Sequence, residues 1–329
     1  MPHRTPHNFC GLTEEFSSWN AARAVIIPVP YDLTSTYVSG SRRGPEAIIS
    51  ASMNMEQFDE ELRVETFRAG IHTQDQLEPT AASPEGMITA VEHAVGQVAA
   101  AGKLPVMLGG EHSITVGALR ALRKRHRKLS ILQLDAHADL RDSYQGTPLS
   151  HACAARRASE MGKLVQAGIR SLSAPEEQFR AGSNVTTFFA ADIAAGHARP
   201  QEIVAELGEE LYITIDLDVL DPSCMPATGT PEPGGLTWYP LLGILRAACE
   251  GRRVVGFDVV ELCPIAGNVA PDFLAAKLVY RLLGYIFADV LKKIPAAGRN
   301  NRFPRRAQKT QRTLSPVHHY RAKESKSNS

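Results

Sequence analysis

Short apolar runs alternate with longer amphipathic segments along most of the chain, and this alternation restricts its fold more than any other feature. Apolar runs typical of buried strands are AVIIPV, LPVML, LSILQL, LYITI and VVGFDVV, at 24–29, 104–108, 129–134, 211–215 and 254–260. Segments with the length and apolar spacing of amphipathic helices are 84–101, 113–127, 237–250 and 271–292. The alternation of strands and helices predicts an α/β protein, with one parallel sheet covered by helices on both faces.

Charge divides the chain into an acidic body and a basic end. From Lys292 onward there are eleven Lys/Arg and one acid, whereas residues 1–291 carry 25 basic and 34 acidic residues. The segment 295–329 has too few large apolar residues to offset the entropy of ordering, so we expect a disordered, solubilising tail. It would follow a catalytic domain of residues 23–294 and an N-terminal extension of residues 1–22. Its basic charge leaves a weak possibility of nucleic-acid contact, but without aromatic interleaving no nucleic-acid partner is expected.

The distribution of cysteines and apolar residues indicates a cytoplasmic protein. Five widely spaced cysteines without a C-x-x-C pair argue against a disulfide framework and fit a reducing compartment. The first residues contain no apolar region typical of a signal peptide. The longest apolar stretch, 274–290, is interrupted by Lys277, Arg281 and Asp289, which is typical of a buried helix. No membrane association is therefore expected.

Acidic and histidine side chains follow four of the predicted strands directly. The motifs at these positions are GGEHS after 104–108, DAHAD after 129–134, DLDVLDP after 211–215 and Glu261 after 254–260. Alternate residues of an extended chain lie on the same side, so Asp135, His137 and Asp139 face one point, and Asp216 and Asp218 face another nearby. Each motif alone also fits a solvated turn or a capping histidine. Their coincidence at the edge where parallel sheets bind ligands favours a functional site.

Four carboxylates and two imidazoles at one sheet edge require bound cations to offset their repulsion. One divalent ion cannot use six such ligands and keep an open position, whereas two ions can if Asp135 and Asp216 bridge them. A set rich in oxygen and without sulfur favours a hard ion such as Mn²⁺ over structural zinc. Two ions about 3.5–4 Å apart can hold a bridging water as hydroxide near neutral pH. The resulting cluster suits a cationic substrate.

Five motifs in this order resemble the ureohydrolase family of arginase and agmatinase: GGEHS, DAHAD, SHA at 150–152, DLDVLDP and GTPEPGG at 229–235. The resemblance covers about residues 23–291 and is strongest to bacterial or archaeal agmatinases. It implies a single doubly wound, three-layer α/β/α domain that assembles as a homotrimer or homohexamer. It also implies two Mn²⁺ ions per subunit and a cytoplasmic enzyme of polyamine biosynthesis.

The resemblance also implies roles for individual residues. His112, Asp135, Asp139 and Asp216 would bind the first manganese, and His137, Asp135, Asp216 and Asp218 the second. His151 matches the family's proton-shuttling histidine, and Glu261 matches the acid that receives the guanidinium. A histidine suits protonation of the leaving amine because its pKa lies near the working pH. From the residues alone, His151 could equally be a loop histidine and Glu261 the partner of an arginine.

The segment before His151 predicts the class of substrate. Arginases present a threonine-serine-glycine-asparagine loop there, which binds the α-carboxylate of arginine, whereas this chain has RDSYQGTP at 141–148. We therefore expect a guanidino-alkylamine as substrate, with agmatine hydrolysed to putrescine and urea. Glu232 is the candidate acceptor for the distal ammonium and Asp142 a weaker one. Glu232 also fits a surface acid in a turn rich in glycine and proline.

Other activities stay open from the sequence. The substrate could be N1-aminopropylagmatine, guanidinobutyrate or guanidinopropionate. A zinc amide hydrolase of the related deacetylase type needs an adjacent His-His pair near the site, and the one such pair, His318-His319, lies in the tail. The third alternative is a binding protein without catalytic activity, and the complete set of candidate metal ligands argues against it.

Overall fold

The computed structural model of the chain describes residues 5–294, and eight strands in this part form a single parallel sheet. The strands of the sheet are β1 (Ala24–Val29), β4 (Ile71–Thr73), β5 (Leu104–Gly109), β6 (Leu129–Leu134), β7 (Lys163–Ile169), β8 (Thr186–Phe189), β9 (Glu210–Asp216) and β10 (Arg253–Val260). Two short strands, β2 (Phe58–Asp59) and β3 (Val64–Glu65), form a separate antiparallel pair. The order across the sheet is β4-β1-β5-β10-β9-β6-β7-β8, so β5, β10, β9 and β6 are neighbours at its centre.

Helices cover both faces of the sheet. They are α1 (Glu14–Ser17), α2 (Gly44–Ser52), α3 (Pro84–Ala100), α4 (Thr115–Arg123), α5 (Ala154–Ser159), α6 (Ala174–Ala181), α7 (Ala190–Ala194), α8 (Pro200–Ala205), α9 (Trp238–Cys249), α10 (Ala270–Ile286) and α11 (Ala288–Leu291). One apolar core lies between the sheet and α2, α9 and α10, and a second lies between the sheet and α3 and α4. The predicted fold class, a parallel sheet between two layers of helices, is therefore confirmed.

The five predicted strands all form, with ends that differ by one residue at most, but three further strands had no clear apolar signal. Strand β7 carries the buried Gln166, whose amide donates to the Gln133 side chain at 2.8 Å. Strands β4 and β8 have three and four residues, most of them half-buried. Such short or polar strands form because neighbouring strands supply their hydrogen bonds, which a local sequence pattern does not show.

The ends of two predicted helices also differ from the structure. The segment 113–127 begins with a 3-10 turn at His112–Ile114, and α4 then ends at Arg123. The segment 271–292 divides at Phe287 into α10 and α11. In the structure none of the helices within residues 5–294 is long and apolar enough to cross a membrane.

Part of the segment expected to be an N-terminal extension packs into the core. Phe9 is fully buried, and the Cys10 amide donates to Ser52 Oγ of α2 at 2.8 Å. The predicted basic tail, residues 295–329, lies outside the described residues. The division at residues 22 and 294 stays a prediction.

The turn after β5 depends on close backbone packing at Gly110. A Cβ atom at this position would lie 1.8 Å from the Tyr31 carbonyl oxygen. The Gly110 amide donates to the Val29 carbonyl at 2.9 Å, and its own carbonyl accepts the Glu261 amide at 2.8 Å. Glycine is therefore required here by the approach of β1, and the turn joins the ends of three strands.

We expect Gly110→Ala to lower the free energy of unfolding by about 3 kcal/mol, because the added methyl group overlaps backbone that cannot move independently. Chemical denaturation monitored by circular dichroism measures this change. Gly243→Ala in α9 is the matched control, since its Cβ would meet only Pro200 at 3.7 Å. That substitution is expected to stabilise by about 0.5–1 kcal/mol through helix propensity. Equal stability of the two variants would contradict the packing argument.

Candidate metal centre and substrate cavity

Side chains that follow β5, β6 and β9 converge on two adjacent points at one edge of the sheet, where the end of β10 lies between those of β5 and β9. Nδ1 of His112 lies 3.1 Å from Asp135 Oδ2, 3.3 Å from Asp139 Oδ2 and 3.4 Å from Asp216 Oδ2. Nδ1 of His137 lies 2.9 Å from Asp218 Oδ2 and 3.8 Å from Asp135 Oδ1. The structure therefore brings together all six residues that the sequence suggested as metal ligands, with Asp135 between the two histidines.

The positions of these nitrogen and oxygen atoms suit metal ions better than hydrogen bonds among the side chains. His112, Asp135 and Asp139 form one group of possible ligands within 4.8 Å, and Asp135, His137 and Asp218 form a second. Nδ1 of His112 is buried and has no hydrogen-bond partner within the described residues. A buried nitrogen of this kind, surrounded by carboxylate oxygens, indicates a cation site. Asp135 belongs to both groups, so the arrangement suits two ions that share a ligand.

Three of these aspartates each use one oxygen to hold the local backbone. Asp135 Oδ1 accepts the His137 amide at 2.6 Å, and Asp216 Oδ1 accepts the Asp218 amide at 2.9 Å. Asp218 Oδ1 accepts the Ala136 amide at 3.0 Å. The Oδ2 atom of each side chain is then directed toward a histidine of the cluster. The i, i+2 spacing therefore serves both to fold the turns and to present the ligands.

Two site residues have strained backbone. Asp139 has φ = 52° and Glu261 has φ = 65°, which is the left-handed region that residues with a Cβ seldom adopt. Such strain costs about 1–3 kcal/mol per residue and concentrates at functional sites. The surrounding hydrogen bonds maintain it. The Glu261 amide donates to Gly110, and the Asp139 carbonyl accepts the Arg156 amide.

The pKa values of the cluster show the repulsion among its acids. Burial, together with the charges of Asp139 and Asp218, raises the pKa of Asp135 to about 7. Burial and the neighbouring Asp218 and Asp135 likewise raise the pKa of Asp216. Burial opposes the charged form of His137, but the hydrogen bond and charge of Asp218 outweigh it and raise its pKa to about 11. Without ions, the cluster is therefore stabilised by protons.

A buried carboxylate orients the His112 ring through a threonine hydroxyl, which lies on the side of the ring away from the cluster. Nε2 of His112 lies 2.8 Å from Thr214 Oγ1, which donates to Asp258 Oδ1 at 2.6 Å. The other oxygen of Asp258 accepts the hydroxyls of Tyr212 at 2.6 Å and Thr115 at 2.8 Å. These contacts orient the ring so that Nδ1 faces the cluster, as outer partners of metal-binding histidines do.

A cavity of about 300 Å³ opens above the cluster. It is lined by His137, Asp139, Asp216, His151 and Glu261, together with the segment 35–38, Tyr144, the segment 171–173 and Glu176. The two residues proposed for catalysis therefore face the same space as the ligands.

Glu261 lies beside the first histidine. Its Oε1 atom accepts the His112 amide at 2.8 Å. Burial and the nearby charge of Glu111 raise the pKa of Glu261 to about 8. A cation entering the cavity would favour the ionised form, because an opposite charge lowers the pKa of a carboxyl.

His151 begins a 3-10 turn and contacts the loop after β1. Its amide donates to Thr34 Oγ1 at 3.0 Å, and its Nδ1 atom lies 3.2 Å from the same oxygen and 3.3 Å from Ser150 Oγ. Burial lowers the pKa of His151, despite the opposing charge of Asp139. A histidine of this kind is mostly neutral at neutral pH.

The two candidates for binding a distal amine have different surroundings. Glu232 Oε1 accepts the Ser171 hydroxyl at 2.9 Å and lies 3.8 Å from His137 Nε2, so it lies at the edge of the cavity. Asp142 is 75% exposed and forms ion pairs with Arg157 at 2.8 Å and Arg156 at 3.7 Å. The charge of Asp142 is therefore already balanced by two arginines.

Sequence reasoning missed three residues of this region: Glu111, Thr34 and Glu176. Glu176 is buried, lines the cavity and accepts the Leu140 amide at 3.0 Å. The spacing Ser173-x-x-Glu176 signals a helix cap, which explains its contacts with Ser173 but not its place in the wall. Glu111 precedes His112, a candidate metal ligand, and this adjacency was the one available signal for it.

Comparisons with known proteins agree with the fold and the site. A family model described as the arginase family matches residues 22–284. The N(1)-aminopropylagmatine ureohydrolase of Synechocystis is 36% identical over 290 residues, covering 86% of this chain and 95% of the relative. The agmatinase of Pyrococcus horikoshii is 34% identical, covering 79% and 90%. The crystal structure of the agmatine ureohydrolase of Thermoplasma volcanium has a TM-score of 0.79 at 32% identity, covering 88% of this chain and 98% of that chain.

We expect metal binding to release protons and to strengthen as the pH rises. At pH 7 the metal-free cluster retains protons, because the pKa of His137 is raised to about 11 and that of Asp135 is raised by burial and the neighbouring acids. Ligands must lose these protons to bind an ion, so affinity should increase about tenfold per pH unit for each proton released. Calorimetric titration of Mn²⁺ at pH 7 in buffers of different ionisation enthalpy counts the protons. Asp142→Asn, outside the cluster, should release the same number, and a count of zero in the unmodified protein would contradict the expectation.

Proposed function

The chain belongs to the arginase family, and on this basis we propose that it is a binuclear metal hydrolase that cleaves the guanidino group of a guanidino-alkylamine and releases urea. The observation that carries the proposal is the pair of ligand groups that share Asp135, of which Asp139 and His137 line the cavity. A site with this charge suits a cationic substrate. Glu261, which faces the same cavity, offers it a carboxylate.

The ligand set supports manganese as the metal. We propose that His112, Asp135, Asp139 and Asp216 bind one ion, and that His137, Asp135, Asp216 and Asp218 bind the other. Four carboxylates and two imidazoles, with no sulfur, match the preferences of Mn²⁺. When bound, such a pair of ions supplies Lewis-acid stabilisation and activates water at neutral pH.

Glu261 would bind the guanidinium, and His151 would transfer protons. The Glu261 carboxylate accepts hydrogen bonds from the guanidinium and holds its carbon above the cluster; one of its oxygens is anchored by the His112 amide at 2.8 Å. His151, which is mostly neutral because burial lowers its pKa, accepts a proton from the attacking water. It then donates this proton to the leaving amine as the carbon–nitrogen bond breaks. The oxygen from water gives up its remaining proton to the amine as the carbonyl of urea forms, so the products are urea and a protonated amine.

The preferred substrate is the finer part of the proposal. The sequence predicts agmatine as the main substrate, with N1-aminopropylagmatine among the alternatives. The aminopropylagmatine ureohydrolase of Synechocystis is slightly more similar to this chain than the agmatinase of Pyrococcus horikoshii, at 36% against 34% identity. We therefore propose a linear guanidino-alkylamine with a distal cationic amine, and both compounds are candidates for it.

A substrate panel tests the activity. Urea release in Mn²⁺ buffer should be highest with agmatine or N1-aminopropylagmatine. It should be at least about tenfold lower with guanidinobutyrate, guanidinopropionate or arginine, because the carboxylate of these compounds would lie near Glu232, a group of the same charge. Asp135→Asn is the negative control, and it should abolish urea release because it weakens both ligand groups. Higher turnover of a guanidino acid would refute the preference for a distal cation, and full activity of Asp135→Asn would refute the metal cluster.

Recognition of the distal amine is assigned to Glu232 in preference to Asp142. Glu232→Gln should raise the KM for agmatine about tenfold, because a charge-assisted hydrogen bond contributes about 1.5 kcal/mol or more. Its kcat should change much less, since Glu232 does not contact the guanidinium. The matched variant Asp142→Asn should change KM by less than about twofold, because Asp142 is paired with Arg157 and Arg156. A larger effect at Asp142 than at Glu232 would reverse the assignment.

A further inference from the structure

The Thr34 side chain connects His151 with Glu111, a buried carboxylate that the proposed mechanism does not use. Glu111 is fully buried, and its Oε1 atom accepts the Thr34 hydroxyl at 2.6 Å. The same Thr34 oxygen lies 3.2 Å from Nδ1 of His151. These residues are 77 and 117 positions apart along the chain, so the fold alone brings them together.

The direction of the hydrogen bonds follows from what each group can donate. Three donors converge on the two oxygens of Glu111: the Thr34 amide at 2.5 Å, the Thr34 hydroxyl at 2.6 Å and the Ser113 hydroxyl at 2.5 Å. Burial raises the pKa of Glu111, but the three donors oppose this rise, and both hydroxyls lie on Oε1, which can accept from both only if it carries no hydrogen, as in the ionised carboxylate. A hydroxyl has one hydrogen. Thr34 therefore gives its hydrogen to Glu111 and can only accept from His151.

His151 supplies both hydrogens that Thr34 can accept. Its amide donates to Thr34 Oγ1 at 3.0 Å, and Nδ1, at 3.2 Å, must then carry a hydrogen to form a second bond with the same oxygen. Ser150 Oγ, at 3.3 Å from Nδ1, can accept the same hydrogen, so it is compatible with this tautomer. In a neutral imidazole only one nitrogen carries a hydrogen. With Nδ1 protonated, Nε2 is left with a free electron pair.

We propose that Glu111 and Thr34 are positioning residues that fix the tautomer of His151, so that Nε2 enters the reaction as the proton acceptor. The role of His151 itself rests on the proposed function, whereas the tautomer does not. The same contacts secure the cavity wall, because the Thr34 amide is also bound by Glu111 and the neighbouring segment 35–38 lines the cavity. One buried carboxylate thus orients both the histidine and the loop opposite it.

Glu111→Gln provides a test, because it should reverse the direction of the hydrogen bonds that run from His151 through Thr34 to residue 111. The amide oxygen must face the Thr34 amide, which can only donate, so the NH₂ group faces the hydroxyls of Thr34 and Ser113. Thr34 would then accept from the glutamine and give its own hydrogen to Nδ1 of His151. We expect the neutral ring of His151 to carry its hydrogen on Nδ1 in the unmodified protein and on Nε2 in Glu111→Gln.

Nitrogen-15 NMR of histidine-labelled protein distinguishes the two tautomers, because protonated and unprotonated ring nitrogens have well-separated shifts. The spectra are recorded at pH 8 with Zn²⁺, which is diamagnetic, in place of Mn²⁺, and His151→Asn identifies the signals. This measurement needs no turnover, so its outcome is separate from whether the protein releases urea. A hydrogen on Nε2 in the unmodified protein, or on Nδ1 in Glu111→Gln, would overturn the proposal.

Thr34→Val and Thr34→Ser form a second, independent pair. Valine has the shape of threonine without the hydroxyl, so kcat for urea release should fall about 10- to 100-fold, as for other partners of site histidines. KM and bound Mn²⁺ should stay within about twofold. Serine restores the hydroxyl and should recover most of the lost kcat. Unchanged kcat in Thr34→Val, or an equal loss in Thr34→Ser, would contradict the role of the hydroxyl.

Discussion

Mutual repulsion among buried carboxylates is the constraint on which the rest of the structure depends. Asp135, Asp139, Asp216 and Asp218 are all buried around two histidines. Burying ionised groups without partners costs far more than a folded domain can supply, so protons or cations must occupy the cluster. The raised pKa values of Asp135 and His137 show protons in that role, and the two ligand groups that share Asp135 show where divalent ions would replace them.

Holding such a cluster together requires rigid backbone, and the sheet provides it. The carboxyl ends of β5, β10, β9 and β6 lie side by side, with the turn at Gly110 packed against the end of β1 and against Glu261. The strained backbone persists because hydrogen bonds hold it, from the Glu261 amide to Gly110 and from the Arg156 amide to Asp139. The acidic cluster and the tight turns therefore depend on each other, because packing of the core offsets the free-energy cost of burying the charged side chains.

Threonine hydroxyl groups orient two histidines of the site, His112 in the cluster and His151 beside it. Thr214, bound to the buried Asp258, faces Nε2 of His112, and Thr34, bound to the buried Glu111, faces Nδ1 of His151. In each case a carboxylate that only accepts makes the hydroxyl an acceptor for the ring. The opposite ring nitrogen faces the candidate metal ligands in His112 and is the proton acceptor proposed for His151.

Local patterns in the sequence determined five adjacent strands of the sheet, the main helices and the six candidate ligands. They could do so because apolar runs, and the i, i+2 spacing of DAHAD and DLD, extend over only a few residues. Tertiary structure alone decided that β5, β10, β9 and β6 are neighbours, and thus that motifs more than a hundred residues apart meet at one point. It also decided the short strands β4, β7 and β8, the pairing of Asp142 with arginines and the contacts of Thr34, Glu111 and Thr214. Such contacts follow from strand order and burial, which depend on the packing of the whole chain and leave no periodic signal in any one segment.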